Sequence, residues 1–258
     1  NGWRHFHGTM AYFRWWDGTA LSADEVATLY ANRENRISQN LNFNIDNERA
    51  LTIGKGIISM PNNVDIESTI EEIVYNINVS SPSYAWEFRN NTGTSDVPDI
   101  INGQNAILYG GAYSTSEGMV FDGNDDYIEL DPWEFGGEAF SFETYLKIES
   151  FDNQKQNSFR VFHFRDEISH KVLFANVGNT TTNAFRLFSA NAIGKFDTTN
   201  QNISDDDFFP SIPAWIHVIG TIDINGFMRL YKNGMLLGFL DGEQTRFSKG
   251  TIHYIGRD

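Results

Sequence analysis

The run Asp122-Gly-Asn124-Asp125-Asp126 gathers four oxygen-bearing side chains within one short stretch. Hard oxygens close together are what calcium prefers. Calcium is the one cofactor the sequence suggests, with Asp122, Asn124, Asp125 and Asp126 as its candidate ligands. The same residue types also build turns for backbone reasons of their own, so a plain turn is the competing reading. Asp205, Asp206 and Asp207 form a second acidic run and read as a solvated loop. His5 and His7 would share a strand face. Zinc takes three or four ligands and no third stands near, so hydrogen-bonded strand histidines are expected here and at His217.

Sugar stacking needs exposed rings beside hydrogen-bonding groups. Trp3, Trp16 and Trp133 are the candidate platforms, with Phe208 and Phe209 behind them. No spacing separates a platform from a core residue. Four Asn-x-Ser/Thr sequons begin at Asn78, Asn90, Asn179 and Asn202. All fall in polar stretches, as glycosylation sites of an extracellular or cell-surface protein would.

The charge balance narrows the partners. The 258 residues include 34 acidic and 19 basic side chains, a net charge of −15. Such a surface repels phosphate backbones and anionic membranes, so nucleic acid is not an expected partner. No apolar run approaches the ~20 residues of a membrane span, so no insertion is expected. There is no cysteine, which excludes disulfides and thiolate metal sites. Aromatic residues make up 14% of the chain, enough for a large core.

The elements that would position these groups are mostly strands. Met10 to Trp16 alternates, with Ala11, Phe13 and Trp15 on one side and Tyr12, Arg14 and Trp16 on the other. Asp17-Gly18 reads as a turn. Ser22 and Glu25 form a capping box, and Val26, Leu29 and Tyr30 lie on one face of the short helix that follows. From residue 86 onward, short alternating runs are separated by turns. Phe140, Phe142, Thr144, Leu146 and Ile148 face one way, and Ser141, Glu143, Tyr145 and Lys147 the other. Asn225-Gly226 and Asn233-Gly234 between apolar runs predict hairpins with positive φ at both turn residues. Many short strands and almost no helix predict an all-β antiparallel sandwich. Residues 32–85 are Asn-rich and read as a spacer or small subdomain, with a second capping box at Ser68 and Glu71.

The run WIHVIGTIDINGFMRLYKNGMLLG, residues 215–238, resembles a laminin-G-like domain of the concanavalin A-like lectin/glucanase superfamily. Trp215, His217, Val218, Thr221, Leu230, Tyr231, Asn233 and Gly234 carry the likeness. FDGNDDYIEL (121–130), FSFETYLKI (140–148) and TIHYIGRD (251–258) resemble that family's early turn, next core strand and penultimate strand. The resemblance implies a concanavalin A-like jelly roll. It also implies a closing strand and helix after Ile-Gly-Arg, and those stand at the front of this chain, in GTMAYFRWWDGTALSADEV, residues 8–26.

The order is therefore rotated: residues 1–31 end a sandwich, 32–85 are a spacer, and 86–258 are its main part. A period of a tandem array, a strand donated to a neighbouring copy and a true permutation each explain this. The first two rank ahead, with Met10, Ala11, Tyr12, Phe13, Arg14 and Trp15 as the inter-unit strand.

The same resemblance raises glycoside hydrolysis. Laminarinase-type members place nucleophile and acid on one strand face through Glu-x-Asp-x-Glu. NIDNE at 44–48 lacks the leading Glu, and ETYLKIE at 143–149 lacks the Asp and has the wrong spacing. The sequence thus predicts a non-catalytic structural or adhesive unit whose partners are other copies of itself. A stand-alone carbohydrate-binding module with glycan partners is second, and a glycosidase third.

Overall fold

The computed structural model describes residues 5–33, 50–53, 56–59, 79–91, 95–135, 138–149, 159–165, 171–176, 185–190, 208, 212–240, 248–249 and 252–257. In chain order the elements are β1 (His7–Asp17), α1 (Ala23–Ala31), β2 (Ala50–Ile53), β3 (Gly56–Ser59), β4 (Tyr84–Glu87), β5 (Asp96–Pro98), β6 (Asn105–Tyr109), β7 (Tyr113–Ser114), β8 (Met119–Asp122), β9 (Tyr127–Leu130), β10 (Glu134–Phe135), β11 (Phe140–Ile148), β12 (Arg160–Arg165), β13 (Lys171–Asn176), β14 (Phe185–Ala190), β15 (Trp215–Ile222), β16 (Met228–Lys232), β17 (Met235–Leu240), β18 (Ser248–Lys249) and β19 (Ile252–Ile255).

Two sheets dominate. The first runs β17-β16-β15-β11-β1-β8-β7, with β4 also paired to β1. The second runs β14-β13-β12-β19-β9-β6-β5. All pairings are antiparallel, as the turn-rich sequence predicts. β10 pairs β18, and β2 pairs β3, as separate two-stranded sheets.

Alternation decides which side chains fill the space between the sheets. Phe140, Phe142, Leu146 and Ile148 of β11 join the main apolar cluster as predicted. They face β12 of the second sheet, with Phe142 and Phe162 centroids 4.7 Å apart. β1 keeps the predicted phase at Phe13 and Trp15 and departs from it only at Ala11. Its register against β11 shifts between Met10 and Tyr12. That bulge turns Ala11 outward beside Tyr12 and Tyr145, while Met10, Phe13 and Trp15 enter the main cluster. Phe13 and Trp15 each stand 5.5 Å from Phe164 of the opposite sheet.

The strand assigned above to inter-unit pairing is paired inside its own chain. One side of β1 runs along β11. The other side is shared by β8, opposite residues 7–10, and β4, opposite residues 12–15. Just before β1, the Phe6 amide donates to the Gly256 carbonyl at 2.7 Å. Early and late residues of this chain therefore meet within one sandwich.

The boundary expected at residue 85 also moves. Residues 79–85 belong to the sandwich, because β4 begins at Tyr84 and the Ser83 amide donates to the Trp15 carbonyl at 2.8 Å. The expected capping box at Ser68 and Glu71 lies outside the described residues.

Turn chemistry holds where it is tightest. Asn233 and Gly234 have φ of 51° and 77°, the pair of positive angles a two-residue hairpin needs. At Asn225-Gly226 only Gly226 is positive, at 87°. That loop is longer and is closed by Asp223, whose carboxylate accepts the amides of Asn225 and Phe227 at 2.9 and 3.0 Å. Among the described residues no helix is long and apolar enough to cross a membrane.

Candidate functional site

The chemistry-bearing side chains fall into two groups. One is a buried ionic cluster on the outer face of the first sheet. The other is an acidic corner between the sheets.

The cluster forms because Arg14 of β1 lies opposite Glu143 of β11, while β15 brings His217 alongside. Glu143 accepts from Tyr12 Oη at 3.0 Å, Arg14 Nη1 at 2.8 Å and His217 Nε2 at 2.7 Å. None of the four is more than 7% exposed at the side chain, and Glu143 is wholly buried. Arg14 also lies over the Tyr12 ring, 4.2 Å from its centroid. Burial pushes the Glu143 carboxyl up, but Arg14, His217 and Tyr12 outweigh it and bring it down to about 2. Burial, reinforced by Glu143, pushes the Tyr12 phenol well up.

A general acid needs a pKa near its working pH and contact with a substrate. Glu143 has neither, since its oxygens are spent on three donors. This carboxylate begins ETYLKIE. The other, Glu149, lies past the end of β11 and pairs with Lys147 at 3.0 Å.

α1 roofs one flank of this face. Its capping box is present as predicted: the Ser22 amide donates to Glu25 at 2.9 Å and the Glu25 amide to Ser22 Oγ at 3.3 Å. Glu25 also accepts the Ser80 amide and hydroxyl at 3.1 and 2.8 Å, tying the helix start to the segment before β4. Val26 and Leu21 pack on Trp16, Ile219 and Tyr231. The Tyr30 ring stands 5.7 Å from His217.

The acidic corner carries the chain from β8 in the first sheet to β9 in the second. The two strands flanking the turn are as predicted, yet they do not pair with each other. Asp122 accepts the Asn124 amide and side-chain amide at 2.8 and 2.9 Å, and its own amide donates to Asp126 Oδ2 at 2.7 Å. Burial raises Asp122, but these donors more than offset it and hold its carboxyl below the ordinary range. Asp126 is pushed up, first by burial and then by the charges of Asp122 and Asp125. Oxygens of Asp122, Asp125 and Asp126 lie within 4.8 Å of one another. The residue types suit a hard cation, and the internal hydrogen bonds account for the turn. His5 sits against this corner, its Nδ1 3.4 Å from the Asp126 carbonyl.

Two of the three expected tryptophan platforms, Trp16 and Trp133, are buried instead. Trp16 is 1% exposed and donates through Nε1 to the Ser80 carbonyl at 2.6 Å. Trp133 is 5% exposed, stacked on Tyr84 at 4.6 Å and edge-on to His253 at 4.2 Å. Phe208 is buried beside Phe174. Large rings lose most by staying in water, so core and roof have taken them. Trp3, Phe209, residues 44–48, Asp205, Asp206 and Asp207 lie outside the described residues. So do the sequon residues Asn78, Asn179 and Asn202, while Asn90 is exposed in a turn with φ of 51°.

Sequence reasoning assigned Tyr12 and Arg14 to inter-unit pairing and missed their role as partners of Glu143. The signal was partly present, since both share the outward phase of β1 as Glu143 does on β11. The register that joins them is not visible in either segment alone.

An antiparallel two-sheet sandwich with one helix roofing an outer face defines the class. Residues 122–258 match the laminin G family model of the concanavalin A-like lectin/glucanases superfamily, and the chain belongs to that family. No curated protein matches the chain.

Proposed function

We propose that this chain is a non-catalytic structural or adhesive unit outside the cell that associates with copies of itself through the open side of β17. The single observation carrying this reading is how differently the open strands of the two main sheets are protected. β7 has two residues, and β5 carries Asp96 and Pro98. β4 is covered, since its Ala85 amide donates to Asp99 Oδ1 at 2.6 Å and its Ala85 carbonyl accepts the Ile100 amide at 2.8 Å.

β17 is MLLGFL, with neither charge nor proline. Met235, Leu236 and Phe239 are 73%, 51% and 58% exposed. Among the described residues no strand pairs the outer side of β17, and an uncharged apolar edge of this kind is a template for another strand, against which natural edges are normally blunted. A second β17 fits it without like-charge repulsion, despite the net charge of −15 on each copy.

The spent carboxylate of Glu143 supports the non-catalytic part, and the exposed Asn90 that begins a sequon the extracellular part. The rotated reading fits the meeting of Phe6 with Gly256, which lets β1 close its own sandwich or, by exchange, a neighbour's. Sedimentation velocity on the full chain across a wide concentration range tests the proposal. The expected result is concentration-dependent dimers or larger species, reduced to monomer by Leu236→Lys or Phe239→Lys. A chain that stays monomeric throughout refutes it.

A further inference from the structure

Granted that β17 is the edge between copies, a bulge within it fixes how a second copy lies against it. Along β16, Tyr231 pairs with Leu236, Leu230 with Gly238 and Arg229 with Phe239, so Leu237 is the extra residue. Tyr231 packs with Trp16 and Ile219 beneath Val26 of α1, on the outer face of the first sheet. Met228 and Leu230 fill the core, so Arg229 between them also points outward. Cross-strand partners share a face, and Leu236 and Phe239 therefore both project from the outer face. In an unbroken strand, residues three apart point to opposite faces.

The contacts agree with this placement. Leu237 packs against the core. The Phe239 ring stacks on Phe227, 5.4 Å between centroids and 18° from parallel, and the Arg229 guanidinium covers Phe227 at 4.4 Å. The hairpin that presents the edge is braced: the Asn233 amide donates to the His217 carbonyl at 2.9 Å, and Asn233 Oδ1 accepts the His217 amide at 3.0 Å. Such an edge needs little ordering when it binds.

On the β16 ladder Gly238 is thus the middle rung, with Leu236 one rung to one side and Phe239 one rung to the other. We infer that two copies pair antiparallel about a two-fold axis through Gly238. That operation sets Leu236 of each copy opposite Phe239 of the other, twice, on one face. Gly238 meets itself on the axis, where neither copy brings a side chain. MLLGFL carries no charge, so the shared edge brings no like charges together. A parallel partner would have to be turned over to offer the same edge, which would put its Leu236 and Phe239 on the opposite face. The antiparallel interface is isologous and closes at two copies, joining the two first sheets into one.

The chain has no cysteine, so an introduced thiol reports its own contact alone. The test mixes full-length Leu236→Cys with full-length Phe239→Cys under mild oxidation, at a concentration where the reduced mixture sediments as a dimer. Directly opposed residues in adjacent strands lie within disulfide reach. Like residues are offset by two rungs, ~7 Å along the strand, and lie beyond it. The mixture should give at least several-fold more covalent dimer than either variant alone, with mass spectrometry finding position 236 linked to 239. Melting curves check that each variant keeps the fold. Leu236→Cys cross-linking to itself as well as to Phe239→Cys would overturn the two-fold register. So would the absence of covalent dimer in a mixture whose reduced dimer Leu236→Lys dissociates, and that outcome would leave β17 as the edge. A mixture that stays monomeric at every concentration would remove the edge itself, and the register with it.

Discussion

The outer faces of the two sheets solve opposite problems with similar residues. On the first sheet, Tyr12, Arg14, Glu143 and His217 are closed away from water, and each reaches the same carboxylate or stacks upon a partner that does. On the second, Tyr109, Tyr127, Tyr254 and Arg257 form a ring ladder whose phenols have no partner among the described residues. A polar group without water must be satisfied by its neighbours or it costs stability. A polar group left at the surface has water, and can exchange it for a ligand. The roofed face thus satisfies its polar groups internally, while the open face leaves its phenols to solvent.

Mutation should separate the two faces. Glu143→Ala leaves Arg14 buried without its carboxylate, and loss of one partner of such a pair costs about 3–5 kcal/mol. Urea unfolding measures this, and a loss below about 1 kcal/mol would show the cluster to be incidental.

Acid should act on the interior next. His253 is buried against Trp133, its Nε2 3.0 Å from the Trp133 carbonyl, and burial lowers its pKa from 6.5 to about 4. Glu143 is lowered from 4.5 to about 2. In both cases the unfolded chain takes up protons before the folded one does. Stability is therefore full above pH 6.5, falls between 6.5 and 4 through His253, and falls again between 4.5 and 2 through Glu143. Melting temperatures that stay flat from pH 7 to 4 would contradict the first of these steps.

Ser22→Ala removes the hydroxyl half of the α1 cap and should cost about 1 kcal/mol, read by chemical denaturation. Tyr109→Ala, on the open face, removes one stacked cross-strand pair and should cost about 0.5–1 kcal/mol, well below the loss at Glu143. A loss as large as that of Glu143→Ala would erase the difference between the two faces. Chelation with EDTA should leave the melting temperature unchanged, because hydrogen bonds already hold the 122–126 turn. A drop reversed by calcium would make that corner a metal site.

Local patterns carried much of the fold. The alternation in β11, the Ser22–Glu25 box and the Asn233-Gly234 hairpin stand as their residues dictate, because each is decided by groups a few positions apart. In β1 the alternation holds from Tyr12 to Trp16, and only Ala11 leaves its predicted side, because a bulge between Met10 and Tyr12 lies outside what local alternation encodes. Trp16 and Trp133 could not be told from platforms, because a ring's exposure depends on what the chain lays over it, here residues 79–84 and the opposing sheet.

The sequence alone settled the class of fold, the sign of the surface charge and the position of the helix cap, since composition and near neighbours govern all three. Folding decided which tyrosines are sealed and which are open, which acid is spent on an arginine, and which edge is left unguarded. Those outcomes rest on register between strands far apart in the chain, as in the Tyr12–Glu143 pair, 131 residues apart, and no local run of residues encodes that register.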